Sequence, residues 1–206
     1  MDIKTVYNNI SKEFSRTRYK VWPQVGEFID SFDINSFNGD IGSGNGKNML
    51  HRKDVKFIGL DNSIEFIKIC QEKNLEVVEG SILNIPFKNN FLDNTICIAV
   101  IHHFKERTDR IQAIKELIRI TKPTGKILIY VWAFEQPVGT IRKFTEQDTL
   151  VPFNSRNSGI YYRFYHVYKE SELEREILEA NGHIIKSYYD NGNWCCIIQK
   201  NDFNLF

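Results

Sequence analysis

Apolar residues recur every fourth position at Val6, Ile10 and Phe14, which predicts a short amphipathic helix near the start of the chain. Pro23 suits the first turn of a second helix, with Val25, Phe28 and Ile29 on its apolar face. A short strand should end at Asp40-Ile41, followed by a glycine-rich loop and a helix from about Lys47. Residues 55–60 read as a second strand, Ser63 as the cap of a helix over 64–73, and Leu75-Glu76-Val77-Val78-Glu79 as a third strand. Residues 92–101 contain the unbroken apolar run Ile96-Cys97-Ile98-Ala99-Val100-Ile101, which suits a central parallel strand buried on both faces.

Ile111, Ile114, Leu117 and Ile118 lie on one face of a helix over 106–120, and Pro123-Thr124-Gly125 then breaks the chain. Residues 126–132 predict another buried strand. From about 133 to 161 no clean periodicity emerges, and a stretch of that length inside a compact domain is usually functional or mobile. A helix over 170–180, ended by Asn181-Gly182, precedes two strands, 183–189 and 194–200. Asp190-Asn191-Gly192-Asn193 joins them as a hairpin turn. Alternating strands and helices closed by a hairpin predict an α/β, doubly wound, Rossmann-like sheet, mostly parallel with one antiparallel strand near the C-terminus.

With 206 residues and 42% hydrophobic residues, the chain fits one domain spanning 1–206. A helical cap would occupy about 1–32 and an irregular, substrate-side insertion about 133–165. The net charge of +1 advertises neither nucleic acid nor membrane, so any RNA must be held by local basic patches. Cys70, Cys97, Cys195 and Cys196 form no CxxC pair, which argues against a zinc site and a disulfide framework. No metal site is expected. No apolar stretch is long enough to cross a bilayer, and Met1-Asp2-Ile3-Lys4 does not open a signal peptide, so a reducing cytoplasmic setting is expected, with the nucleus as an alternative.

The loop Asp40-Ile41-Gly42-Ser43-Gly44-Asn45-Gly46 narrows the ligand. A P-loop ending at Gly46-Lys47 needs Gly at 41 and Ser or Thr at 48, where the chain has Ile41 and Asn48. A dinucleotide fingerprint begun at Gly42 and Gly44 needs a third Gly at 47, which is Lys47. Asp40 would repel a pyrophosphate but attract the ammonium of S-adenosylmethionine. Asp61, at the end of the next strand, can accept both ribose hydroxyls, although Asp61-Asn62-Ser63 also reads as a helix cap.

These residues resemble class I S-adenosylmethionine methyltransferases. More closely, the chain is similar to the eukaryotic tRNA methyltransferases that esterify 5-carboxymethyluridine at the wobble position. The similarity runs through Phe14-Ser15-Arg16-Thr17-Arg18-Tyr19-Lys20-Val21-Trp22-Pro23, the glycine loop, and Ile98-Ala99-Val100-Ile101-His102-His103-Phe104. It continues in Tyr130-Val131-Trp132-Ala133-Phe134-Glu135-Gln136, Val151-Pro152-Phe153 and Tyr165-His166-Val167-Tyr168. Three positions depart from the family pattern: Ser43 where Cys is common, Gly39 in place of an apolar strand residue, and Ser81 where an Asp often meets the adenine amino group.

The resemblance implies S-adenosylmethionine as cofactor, S-adenosylhomocysteine as product and tRNA as substrate. Asp40, Gly42, Gly44, Gly46, Asp61, Asn62, Ser81, Ile82, Ala99 and Val100 would form the cofactor site. A carboxylate acceptor is already an anion at neutral pH, so the site must orient it and exclude water rather than supply a strong base. Arg18, His102, His103, Trp132, Tyr165 and His166 are the candidate acceptor residues. Adjacent histidines also read as one packed and one capping residue, and Trp132 as core.

Three basic groups could converge on one rim to track the tRNA backbone: Arg16, Arg18 and Lys20; Lys105, Arg107 and Arg110; and Arg142, Lys143, Arg156 and Arg163. The family also implies a small zinc-binding activator subunit as heterodimer partner, docking on the edge strand Leu75-Glu76-Val77-Val78-Glu79. A small-molecule methyltransferase and a non-catalytic module that kept the pocket remain open alternatives.

Overall fold

The computed structural model describes residues 2–156 and 158–200, so the two ends of the expected 1–206 domain lie outside the described residues. Two helices, α1 (Ile3–Thr17) and α2 (Pro23–Asp30), precede the strands β1 (Phe37–Ile41) and β2 (Lys56–Asp61). Helix α3 (Ile64–Gln71) leads to β3 (Val77–Glu79), and β4 (Thr95–Ile98) is followed by a short 3₁₀ turn, Ile101–His103. Then come α4 (Arg107–Ile120), β5 (Lys126–Trp132), β6 (Asp148–Ser155) and β7 (Gly159–His166). Helix α5 (Glu172–Glu179), β8 (Gly182–Asp190) and β9 (Asn193–Lys200) close the described chain.

Seven strands form one sheet in the order β3-β2-β1-β4-β5-β9-β8, while β6 and β7 make a separate ribbon. Strands β1 to β5 pair in parallel, and β9 runs antiparallel to both β5 and β8. This is the doubly wound α/β sheet with one reversed strand that the alternating pattern predicts. Side chains of β5 alternate between two cores. Ile127, Ile129 and Val131 pack with Ile114, Leu117 and Ile177 from α4 and α5, and Leu128 and Tyr130 pack with Val25, Phe28 and Ile29 from α2. The four cysteines are all buried in this packing.

Three local expectations fail for identifiable reasons. Residues 47–50 form turns and no helix follows the glycine loop. The side chains of Asn45 and Asn48 compete for local groups there: Asn45 Oδ1 accepts from the Lys47 amide at 3.3 Å and Asn48 Nδ2 reaches Asp40 Oδ2 at 3.5 Å. The apolar run at 96–101 outlasts its strand, because Ala99 turns to φ 62° and sends the chain into the 3₁₀ turn. The region from 133 to 165 is not irregular throughout, since Asp148–Ser155 and Gly159–His166 pair residue by residue from Asp148↔His166 to Ser155↔Gly159. Its alternation is hidden because both faces carry apolar groups. Val151 and Phe153 are half-buried, whereas Leu150, Ile160 and Tyr162 point outward.

Candidate active site

A cavity of about 480 Å³ lies at the C-terminal ends of β1, β2, β4 and β5, the rim where open parallel sheets bind ligands. Helix α1 forms one wall through Ile3, Tyr7 and Phe14 with Arg18 at its C-cap, and β7 forms another through Arg163 and Tyr165. Helix α1 is fastened there by Asn8 Oδ1, which accepts from Ser63 Oγ at 2.7 Å, and by Glu13 Oε1, which accepts from the Arg156 amide at 2.8 Å.

One half of the cavity is built around the glycine loop. Gly42 has φ 80°, and a Cβ on it would stand 2.2 Å from Val100 Cγ2, so only glycine lets the loop pass the β4 end. Asp61 ties the loop down, with Oδ2 accepting from the Gly44 amide at 2.8 Å and Oδ1 accepting from the Ser63 amide at 2.9 Å. Burial raises its carboxyl above the ordinary aspartate range, against the pull of these amides. Asp61 thus tethers the loop and the start of α3 while lining the cavity. Asn62, Ser81, Ile82, Ala99 and Val100 also line the wall.

Two cofactor candidates lie off it. Gly46 packs inward, where a Cβ would meet Leu75 Cδ1 at 2.4 Å. Asp40 is wholly buried and separated from the cavity, and its Oδ1 has no hydrogen-bond partner. Burial pushes its pKa up to about 7, helped by Asp61 and opposed by Asn48 and Lys47.

The other half is aromatic and cationic. Trp132 and Tyr165 stack at 4.1 Å with an interplanar angle of 14°. Arg142 covers the outer face of this pair, 3.9 Å from the Trp132 ring centre. Arg163 lies 5.3 Å from the Tyr165 ring centre and 5.5 Å from that of Phe153. Arg18 lies over Phe14 at 4.2 Å and near Phe153 at 5.8 Å. All three arginines line the cavity, and among the described residues no carboxylate forms an ion pair with any of them. Burial lowers the pKa of Arg18 and of Arg142, and Arg163 lowers both further. Arg163 is only 3% exposed and its Nε has no partner.

The histidines divide. His103 lines the cavity and stays neutral, since burial lowers its pKa to about 4. Its Nδ1 donates to the Phe164 carbonyl at 2.8 Å, which leaves Nε2 to accept from Tyr7 Oη at 2.9 Å. His102 sits behind the wall, fully buried, with Nδ1 accepting from the Trp132 amide at 3.0 Å. It orients the end of β5 and does not face the acceptor space.

His166 is also away from the cavity. Its Nδ1 meets Asp148 at 2.6 Å and its Nε2 meets Glu172 at 2.8 Å, joining the base of the ribbon to α5. Of the basic groups expected to converge, Arg18 and the pair Arg142 and Arg163 do so. Arg110 is held by Glu176 at 2.8 Å and Arg107 by Glu179 at 2.5 Å.

Sequence reasoning passed over Tyr7, Phe14 and Asn48 as site residues. Tyr7, Phe14 and Arg18 fall at i, i+7 and i+11, a second stripe on α1 beside the core stripe of Val6 and Ile10. Only Asn48 leaves no such periodic trace.

Residues 39–129 match the model of the Methyltransferase domain family. The tRNA (carboxymethyluridine(34)-5-O)-methyltransferase of Schizosaccharomyces pombe is 35% identical over 221 residues, covering 97% of this chain and 96% of that protein. The tRNA (carboxymethyluridine(34)-5-O)-methyltransferase alkbh8 of Xenopus tropicalis is 35% identical over 254 residues, and here the match spans 96% of the chain but 40% of the longer relative. Among solved structures, the CcbJ methyltransferase of Streptomyces caelestis superposes with a TM-score of 0.74 at 12% identity, over 96% of this chain and 98% of that one. A chain from the complex between the Haloferax volcanii Trm112 methyltransferase activator and a methyltransferase gives 0.71 at 13%, over 97% and 98%. At such identities these two structures speak for the fold alone.

Proposed function

The chain belongs to the tRNA (carboxymethyluridine(34)-5-O)-methyltransferase family, and on that premise we propose that it methylates the carboxylate of 5-carboxymethyluridine at the tRNA wobble position. The observation that carries the acceptor assignment is the convergence of Arg18, Arg142 and Arg163 on one cavity without a carboxylate to neutralise them. Three uncompensated guanidinium groups in a partly dry cleft are a site awaiting an anion.

The glycine loop fits S-adenosylmethionine. Asp61, on the cavity wall and bonded to the Gly44 amide, supports a ribose-binding role, and a second acid, Asp40, beside the loop disfavours a pyrophosphate there. When bound, that cofactor supplies an electrophilic methyl group on a sulfonium. The protein's part is positional. The arginines hold the acceptor carboxylate in its ionised form, and the stacked Trp132 and Tyr165 offer a flat platform to an extruded base. Neutral His103, locked between Tyr7 and the Phe164 carbonyl, adds no competing charge and takes no proton, consistent with a reaction that needs none removed. Ile82, Val100 and Phe104 keep water from the apolar side of the cleft.

Strand β3 pairs only with β2 among the described strands, so its outer edge is open to strand addition. We assign that edge, Val77–Glu79, to the zinc-binding activator; the exposed Lys4–Glu79 ion pair at 2.9 Å lies on it. The reading carries a cytoplasmic location, with the nucleus as the alternative.

The test is incubation with labelled S-adenosylmethionine and tRNA bearing 5-carboxymethyluridine, with and without the activator. Base-labile label on the wobble nucleoside is expected. Cofactor binding with no ester in either condition overturns the acceptor assignment.

A further inference from the structure

The stack of Trp132 on Tyr165 has two outer faces that an incoming base could meet. The Tyr165 side is closed by packing: that ring is 2% exposed, with the His103 and His102 ring centres 4.5 and 4.8 Å away. The Trp132 side is closed differently. Tyr165 at 4.1 Å and the Arg142 guanidinium carbon at 3.9 Å cannot share one face of the indole, so Arg142 holds the face turned away from Tyr165. A base stacking on the platform needs the space that this guanidinium fills.

Little else fastens Arg142. Among the described residues its guanidinium makes no ion pair and no hydrogen bond, and residues 138–143 make none to the body of the protein. The Thr140 hydroxyl donates only within the segment, to the carbonyls of Pro137 and Arg142. Val138 and Ile141 are fully exposed, and a Cβ on Gly139, at φ 86°, would meet nothing within 4 Å. Firmer anchors flank the segment on both sides: Gln136 Nε2 donates to the Ala133 carbonyl at 2.7 Å and Gln147 Nε2 to Glu172 at 2.7 Å. The segment between them can swing with the loss of one cation–aromatic contact.

We infer that Arg142 is a displaceable cap on the base platform, and that its displacement selects the carboxymethyl nucleotide. An arriving pyrimidine takes the Trp132 face and moves the guanidinium off it. With plain uridine, the cation–aromatic contact is lost and no charged partner replaces it. With 5-carboxymethyluridine, the displaced guanidinium turns to the carboxylate of the same nucleotide, beside Arg18 and Arg163, so a weaker contact is exchanged for a charge-assisted one. The methyl ester carries no charge, so after transfer the exchange reverses and the cap returns to the ring. This rests on the acceptor reading and adds to it the means by which an unmodified wobble base is refused.

The test measures binding to the whole chain, with S-adenosylhomocysteine present to prevent transfer. The probes are three anticodon stem-loops that differ only at the wobble position, which is abasic, uridine or 5-carboxymethyluridine. The abasic probe reads backbone contacts alone, so the other affinities are taken relative to it. Arg142→Ala should tighten the uridine probe about threefold to tenfold, the worth of one cation–aromatic contact. The same variant should weaken the carboxymethyluridine probe about fivefold, because the lost charge-assisted bond outweighs the removed cap. Weakening of carboxymethyluridine with uridine unchanged makes Arg142 a plain carboxylate ligand and overturns the cap. Equal shifts of all three probes make it a backbone contact and overturn the cap as well. Either result leaves the acceptor reading standing as long as wild type esterifies the carboxymethyluridine stem-loop with labelled cofactor. Wild type that binds no probe better than the abasic one overturns the two together.

Discussion

Arg163 offers a prediction in which stability and activity should move in opposite directions. The residue is 3% exposed, has an unpartnered Nε, and lies near Arg18 and Arg142 on the same cavity. Its guanidinium carbon lies 5.3 Å from the Tyr165 ring centre and 5.5 Å from that of Phe153. Replacement by Met keeps an unbranched stem, while removing the charge and the orphaned donor. An unsatisfied buried donor costs about 1–3 kcal/mol, so the cofactor-free protein should lose nothing and gain up to about 1 kcal/mol once lost cation–aromatic contact is offset.

Catalysis should suffer, because a charge-assisted hydrogen bond to the acceptor is worth about 1.5–3 kcal/mol, or roughly 10- to 150-fold in kcat/KM. The measurements are a urea midpoint without ligand and steady-state transfer to tRNA. A variant less stable than wild type by over 1 kcal/mol, with transfer unchanged, would refute the reasoning and make Arg163 a packing residue.

Gly42→Ala forces an L side chain into φ 80° against Val100 and should cost about 2–4 kcal/mol in a denaturant titration, with cofactor affinity falling alongside. An unchanged midpoint would mean the loop can move aside. Asp61→Ala strips the acceptor from the Gly44 and Ser63 amides and should cost about 2 kcal/mol, as well as weakening cofactor binding; unaltered affinity by calorimetry removes its ribose role.

The third concerns pH. Burial depresses His166, but its bonds to Glu172 and Asp148 outweigh this and leave its pKa raised, so its stabilisation is complete below about 6.5 and fades as pH climbs through the raised value. Burial opposes the shift at Glu172 too, yet the His166 bond prevails and lowers it to about 2, so that contribution is present above about 4.5 and fades only as pH falls towards 2. Hydrogen exchange in the β6–β7 ribbon should therefore quicken on the alkaline side in wild type, beyond the intrinsic rate, and show no such step in His166→Gln. Parallel profiles for the two proteins contradict the ion-pair account.

Periodic packing was readable in the sequence, and local competition was not. The Ile111, Ile114, Leu117 and Ile118 stripe and the β5 run declared α4 and the sheet centre because burial on defined faces leaves a repeat. The glycine loop was legible because positive φ and close approach restrict Gly42. The absent helix after Lys47 was hidden, since side-chain capture of local groups by Asn45 and Asn48 has no period. The ribbon was hidden for a related reason: Leu150, Ile160 and Tyr162 on its open face blur the alternation that Val151 and Phe153 set up on the other.

The histidines show a further limit. Residue type marked His102, His103 and His166 equally, but only three-dimensional partners separate a cavity residue from a backbone prop and an ion-pair pin. Arg142 and Arg163 belong to one of the three basic groups expected to converge on a rim, and the cavity does gather these two with Arg18, but which members of each group would meet there was not legible before the fold.

The burial of every cysteine has a practical consequence. Cys70 and Cys196 are pushed up to about 12 by burial, and Cys97 and Cys195 are raised as well, so no thiolate is on offer to alkylating reagents or peroxide near neutrality. The folded native chain is thus a blank background for maleimide chemistry. A single cysteine introduced in place of Tyr162, which is 54% exposed on the outer face of the ribbon, would therefore carry a fluorophore alone.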